Sequence, residues 1–96
     1  MDVADALEAV KDRQSFLTFA RLLAADRADE VEKEKSSPSS PYGRGANGWE
    51  NGTIEAFLDA ACSWAESTDF GLSQGLETDN PWKQFAVFLY CGKIYE

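Results

Sequence analysis

The sequence predicts an all-α protein: four helices, the first one short, in a small orthogonal or bundle-like domain with a disordered loop at about 36–48. Three observations lead there. Apolar residues recur at helical i, i+3, i+4 and i+7 spacing in separate stretches of the chain. No alternating strand pattern runs longer than the final four residues. With 96 residues and an apolar fraction of 44%, the chain can close one core but not two, so 1–96 is read as a single domain.

The first helix is expected over Ala4 to Lys11, with Leu7 and Val10 as its apolar contacts. Ser15 is a good N-cap for the second, in which Phe16, Phe19, Ala20 and Leu23 form one stripe. Past Ala25 the pattern turns to Asp26-Arg27-Ala28-Asp29-Glu30-Val31-Glu32-Lys33-Glu34-Lys35. Opposite-charge pairs there add only ~0.2–0.5 kcal/mol each, so this end is expected to run into solvent and fray. The Ser-, Pro- and Gly-rich residues 36–48 bury nothing and form a flexible loop within the domain.

Asn51 or Thr53 caps the third helix, where Ile54, Phe57, Leu58, Ala61, Trp64 and Ala65 share a sector of roughly 120°. Asn80-Pro81 opens the fourth, with proline at the first helical position. Trp82, Phe85, Ala86 and Leu89 make its inner stripe, and Gly92 is placed to end it in the left-handed conformation with Ile94 folding back. Val87, Phe88, Tyr90 and Cys91 lie off that stripe, so this helix is central or touches a partner.

Charge narrows the function classes. There is no histidine, and 17 carboxylates face nine lysines and arginines for a net charge of −8. The commonest general acid-base residue is therefore missing. Nucleic acid and anionic membrane both call for a positive surface, so neither is expected as a partner. The N-terminus has neither the basic start nor the apolar stretch of a secretory signal, and no apolar run reaches the ~20 residues that span a bilayer. The expected compartment is the cytoplasm. Cys62 and Cys91 have no metal-ligand spacing and read as reduced thiols, with a disulfide between them left open.

Several short motifs dissolve on inspection. Gly43-Arg44-Gly45-Ala46-Asn47-Gly48 has dinucleotide-loop spacing but follows a Ser-Pro tract rather than a strand. Asp69-Phe70-Gly71 stands without any other kinase part and is a turn. Residues 69–80 lack the glycine a calcium loop needs at its sixth position. Asn51-Gly52-Thr53 is explained by helix capping, and Ser37 and Ser40, which precede prolines, by a linker. No catalytic, cofactor-binding or metal-ligating set emerges, and no cofactor is expected.

One constellation survives. Glu55, Asp59 and Glu66 project at about 100°, 140° and 120° on a wheel zeroed at Ile54, with no basic residue among them. Glu50 lies just before this helix, and Trp49 stands at the loop-helix junction, either as a hydrophobic staple or as a partner anchor. The stripe is a solvated face or a docking surface for a basic protein. Glu50, Glu55, Asp59, Glu66 and Trp49 are the candidate protein-binding residues.

Trp49-Glu50-Asn51, Ile54, Phe57-Leu58 and Trp64, Trp82, and Gly92-Lys93-Ile94-Tyr95-Glu96 resemble an uncharacterised family of small bacterial domains with a W-E-N start and a G-K-x-Y-E end. Arg13-Gln14-Ser15-Phe16, with Phe19 after it, is similar to that family's N-terminal part. The resemblance implies a bacterial, mainly helical domain of unknown function and transfers no site. At its end Glu50 or Glu96 is expected to pair with Lys93 or Arg13. The function expected is a non-enzymatic acidic protein-interaction domain, in particular an immunity- or antitoxin-like inhibitor of a basic partner. A homo-oligomeric structural or regulatory module joined through the fourth helix is the first alternative. A carboxylate-only or metal-dependent enzyme is the second, and the chain is a monomer or a homodimer.

Overall fold

The computed structural model describes residues 1–41, 43–77 and 79–95. Helices α1 (Val3–Glu8), α2 (Arg13–Ser36), α3 (Ile54–Thr68) and α4 (Pro81–Ile94) follow in order, with a 3-10 turn at Leu72–Gln74 between the last two. No strand occurs among the described residues. The all-α class and the short first helix are as the periodicity predicted. Glu96, in the C-terminal motif, lies outside the described residues.

Each helix starts where side-chain chemistry relieves the unpaired amides of a first turn. Asp2 caps α1, which ends at Glu8, short of the expected Lys11. Val10 nonetheless stays fully buried beneath the connecting turn. Asp12, not Ser15, caps α2: its carboxylate accepts from the Ser15 amide while the Ser15 hydroxyl accepts from the Asp12 amide. That reciprocal pair is a capping box read three residues out of register. Thr53 caps α3 by accepting from the Ala56 amide, and Asn80 caps α4 ahead of Pro81.

Helix α4 lies at the centre, as its nearly all-round apolar surface anticipated. It runs parallel to α2, with Phe16 stacked on Phe85 at one end and Lys93 bound to Asp26 at the other. It runs antiparallel to α3, whose Phe57 meets Gly92 and past whose C-terminal end Phe70 stacks on Phe88. One apolar cluster joins α1, α2 and α4 through Ala6, Val10, Phe16, Phe19, Leu23, Trp49 and Ala86. A second joins α3 to α4 through Trp64, Ala65 and Cys91, with partly buried Val87 packed against it.

Several expectations need correction. Gly92 does not terminate α4, which continues to Ile94. Its value is close approach, because a Cβ there would sit 2.9 Å from the Phe57 carbonyl oxygen. The expected inner stripe of α4 is split along its length: Ala86 is buried, whereas Trp82 and Phe85 (47% exposed) lie in a surface ladder of stacked rings. On α3 the buried face is rotated toward Ala60, Trp64 and Thr68, which leaves Ile54 and Leu58 outside.

The largest difference is in the charged half of α2. It does not fray; the helix runs 24 residues to Ser36, about 36 Å at 1.5 Å per residue. Glu30 within it is 1% exposed. Its carboxylate accepts from the backbone amides of Asn47 and Trp49 and pairs with Arg27 at 2.6 Å. Glu34 accepts from Ser39 and from the Ala46 amide, and the Ser39 hydrogen bonds hold its carboxyl below the ordinary glutamate value. Where composition suggested a disordered loop, these bonds tie Ser39, Ala46, Asn47 and Trp49 to α2. Gly45 passes so close that a Cβ would overlap the Glu30 carboxylate.

Truncating Glu30 would leave the Asn47 and Trp49 amides without their acceptor and Arg27 without its carboxylate partner. Glu30→Ala is therefore expected to destabilise the domain by about 3 kcal/mol, measured by urea denaturation. A loss under about 1 kcal/mol, typical of exposed ion pairs, would show that Glu30 does not seal the loop.

Candidate functional site

Trp49, Glu50 and Asn51 cross from the loop to α3 by lying over the C-terminal end of α4. The Trp49 indole N–H donates to Asp26 Oδ2 at 2.9 Å, and Lys93 Nζ reaches the same oxygen at 2.7 Å. Both Lys93 and Arg27 stand against the Trp49 ring, 5.6 and 5.8 Å from its centroid, a favourable placement for cations over an aromatic face. The Glu50 amide donates to the Lys93 carbonyl, and the Asn51 side chain donates to the Gly92 and Tyr95 carbonyls. Those carbonyls lack partners within their own helix, so the segment acts as the C-terminal cap of α4.

The start of α3 is thereby fixed beside α2 without packing on it. Arg27 bridges the gap by donating to the Gly52 carbonyl at 3.0 Å. Between the two helices lies an apolar cleft of about 480 Å³. Leu23 and Ala20 form its α2 wall, Trp49 and Phe57 its floor, and Ile54 and Leu58 its α3 rim. Ile54 is 78% exposed and Leu58 48%. Among the described residues, no carboxylate lines this cleft.

The candidate residues separate into two groups. Glu55, Asp59 and Glu66 are all exposed on α3 and form no ion pair among the described residues. With Ile54, Leu58 and Cys62 at four-residue spacing, they make an apolar ridge edged by negative charge. Glu50 and Trp49 do not join them. The Glu50 carboxylate pairs with Arg44 at 2.5 Å, correcting the expected pairing with Lys93, whose ammonium belongs to Asp26. Trp49 is buried in the core and bonded to Asp26. Among the described residues, no group of three His, Cys, Asp or Glu side chains is placed to hold a metal ion, and no helix is long and apolar enough to cross a membrane.

Sequence reasoning missed Asp26, Arg27, Glu30 and Lys93 as an organising cluster. A signal existed: Phe16, Phe19, Leu23, Asp26 and Glu30 continue a single helical stripe, so the last two were positioned to turn inward.

The chain belongs to a protein family of unknown function, DUF7660, whose profile matches residues 11–96. No curated protein matches the chain significantly. No solved structure does either.

The two thiols report independently on how α3 is oriented. Cys62 is exposed next to the acidic stripe, while Cys91 is buried and its pKa is pushed up to about 11 by desolvation. Iodoacetamide is expected to modify one cysteine per native chain at mildly alkaline pH and two after denaturation. Two fast-reacting thiols in the native protein would contradict this orientation.

Proposed function

We propose that this domain is a non-enzymatic protein-interaction module that uses the α2–α3 cleft and the adjoining acidic face of α3 to receive a basic, amphipathic partner segment. One observation carries the reading. Two large aliphatic side chains, Ile54 and Leu58, stand exposed on the rim of an apolar cleft, and three unpaired carboxylates run beside them. An apolar groove edged by one sign of charge suits a helix with apolar residues on one face and cations at its border. Leucine side chains would enter the cleft, while arginines or lysines meet Glu55, Asp59 and Glu66. Complementary charge speeds encounter and rejects acidic segments.

An immunity- or antitoxin-like inhibitor of a basic protein is the particular form this reading favours. The net charge of −8 supports it, since an acidic inhibitor steers toward a basic target over long distances. The carboxylate-only enzyme has no comparable support in the geometry.

The probe is a synthetic amphipathic helix with leucines on one face and flanking arginines, labelled for fluorescence anisotropy. The native domain is expected to bind it in a salt-sensitive manner. Combined reversal to lysine of Glu55, Asp59 and Glu66 should weaken binding by tenfold or more, about 1.4 kcal/mol or above. Equal affinity of the two proteins would show that the acidic face plays no part.

A further inference from the structure

The proposed docking face asks for an apolar side chain flanked by cations on one helix stripe, and the chain carries that pattern itself. Resting on the docking-face reading above, we infer that the segment received on this face, along the α3 ridge beside the cleft, is α2 of a second copy of this chain, forming a two-fold symmetric dimer.

The cations point there first. Of the nine basic residues, Arg27, Lys33, Lys35, Arg44 and Lys93 are held by carboxylates within the chain. Lys83 is held by the Leu7 and Glu8 carbonyls at the end of α1. The three left without an ion pair among the described residues are Lys11, just before α2, and Arg13 and Arg21 in its N-terminal half. Arg13, Leu17 and Arg21 follow at four-residue spacing, and Leu17 is 41% exposed. They project at about 60°, 100° and 140° on a wheel zeroed at Phe16, with exposed Ala24 in the same sector. The unpaired cations are thus gathered toward the start of α2 around exposed Leu17, next to Ala20 and Ala24 that line the cleft. The free carboxylates of α3 edge its other side.

Symmetry and register agree with this assignment. Helices α2 and α3 are antiparallel, because α4 is parallel to the first and antiparallel to the second. The Arg27–Gly52 hydrogen bond sets their relative height. Stepping backward from Arg27 and forward from Gly52 brings Arg21 level with Leu58–Asp59, Leu17 with Cys62, and Arg13 with Glu66. A two-fold axis lying along the cleft places α2 of each copy on α3 of the other and preserves those levels. Arg21 then meets Asp59 of the second copy, Arg13 meets its Glu66, and Leu17 lies on its Leu58–Cys62 ridge. The Arg13–Arg21 separation of about 12 Å matches the Asp59–Glu66 separation of about 10.5 Å at 1.5 Å per residue. The chain's overall negative charge opposes pairing at long range, so contact is favoured only where positive and negative stripes coincide.

A charge-swap experiment read by sedimentation equilibrium tests the inference. The wild-type chain is expected to be dimeric at high micromolar concentration. Arg21→Glu and Asp59→Arg each place like charges at both symmetric contacts and should raise the dimer Kd by at least about tenfold. Mixing the two variants restores opposite charges at both contacts, so an equimolar mixture should dimerise with near wild-type affinity. Both positions are exposed, and unchanged circular dichroism and melting confirm the fold of each variant. Variants that dimerise like the wild type would overturn the inference, and Phe85→Glu then reports whether the aromatic ladder of α4 pairs instead. A monomeric wild type that captures the basic helical peptide would discard self-pairing while leaving the docking face intact. One that neither pairs nor captures would discard both.

Discussion

A carboxylate sealed inside a small acidic protein holds the architecture in place. Glu30 lies in the middle of a long, highly charged helix, yet the Trp49 loop closes over it and supplies two backbone amides as donors. A buried charge is tolerated only when paired and hydrogen-bonded, and here Arg27 provides the pairing. One turn earlier, Asp26 joins the Trp49 indole to Lys93 near the end of α4. These two acids on a single helix face determine where the chain returns after the 36–48 segment and where α3 starts. The rest of the fold follows from that placement.

The cleft is a consequence of the same constraint. The Trp49-Glu50-Asn51 segment is committed to capping α4, and Trp49 fills the space between α2 and α4. Helix α3 is therefore carried onto the far side of α4, where Trp64, Ala65 and Cys91 form their own cluster. With α4 between them, α2 and α3 are bridged by Arg27 and the loop, and an apolar cleft stays open between them. A groove of this kind belongs to the topology, whereas the charges beside it belong to exposed positions that do not support the core.

Much of the fold was legible because it rests on local rules. Thr53 and Asn80 announced two helix starts, Asn80-Pro81 set the entry to α4, and three apolar stripes required helices. The errors lie where a tertiary partner overrides a local rule. Gly92 looked like a helix stop, yet it is needed where Phe57 presses against α4. Ile54 and Leu58 fitted an inward stripe, but the buried face of α3 is set by where α4 lies and is rotated from that stripe by about 40°. The charged half of α2 looked solvated because hydropathy cannot tell a free glutamate from one that accepts hydrogen bonds from a loop 17 residues onward. The acidic stripe was readable from sequence because all three residues lie on one helix. Its apolar neighbour and the free arginines opposite were not, since the first depends on α3 orientation and the second on which cations find partners.

Native-state hydrogen exchange at single-residue resolution tests most directly whether the sealed carboxylate organises the molecule. If Glu30 holds the loop as described, the Asn47 and Trp49 amides should exchange nearly as slowly as those in the centre of α4, opening only when the domain unfolds. Exchange of both amides at rates typical of an exposed loop, with α4 still protected, would contradict it.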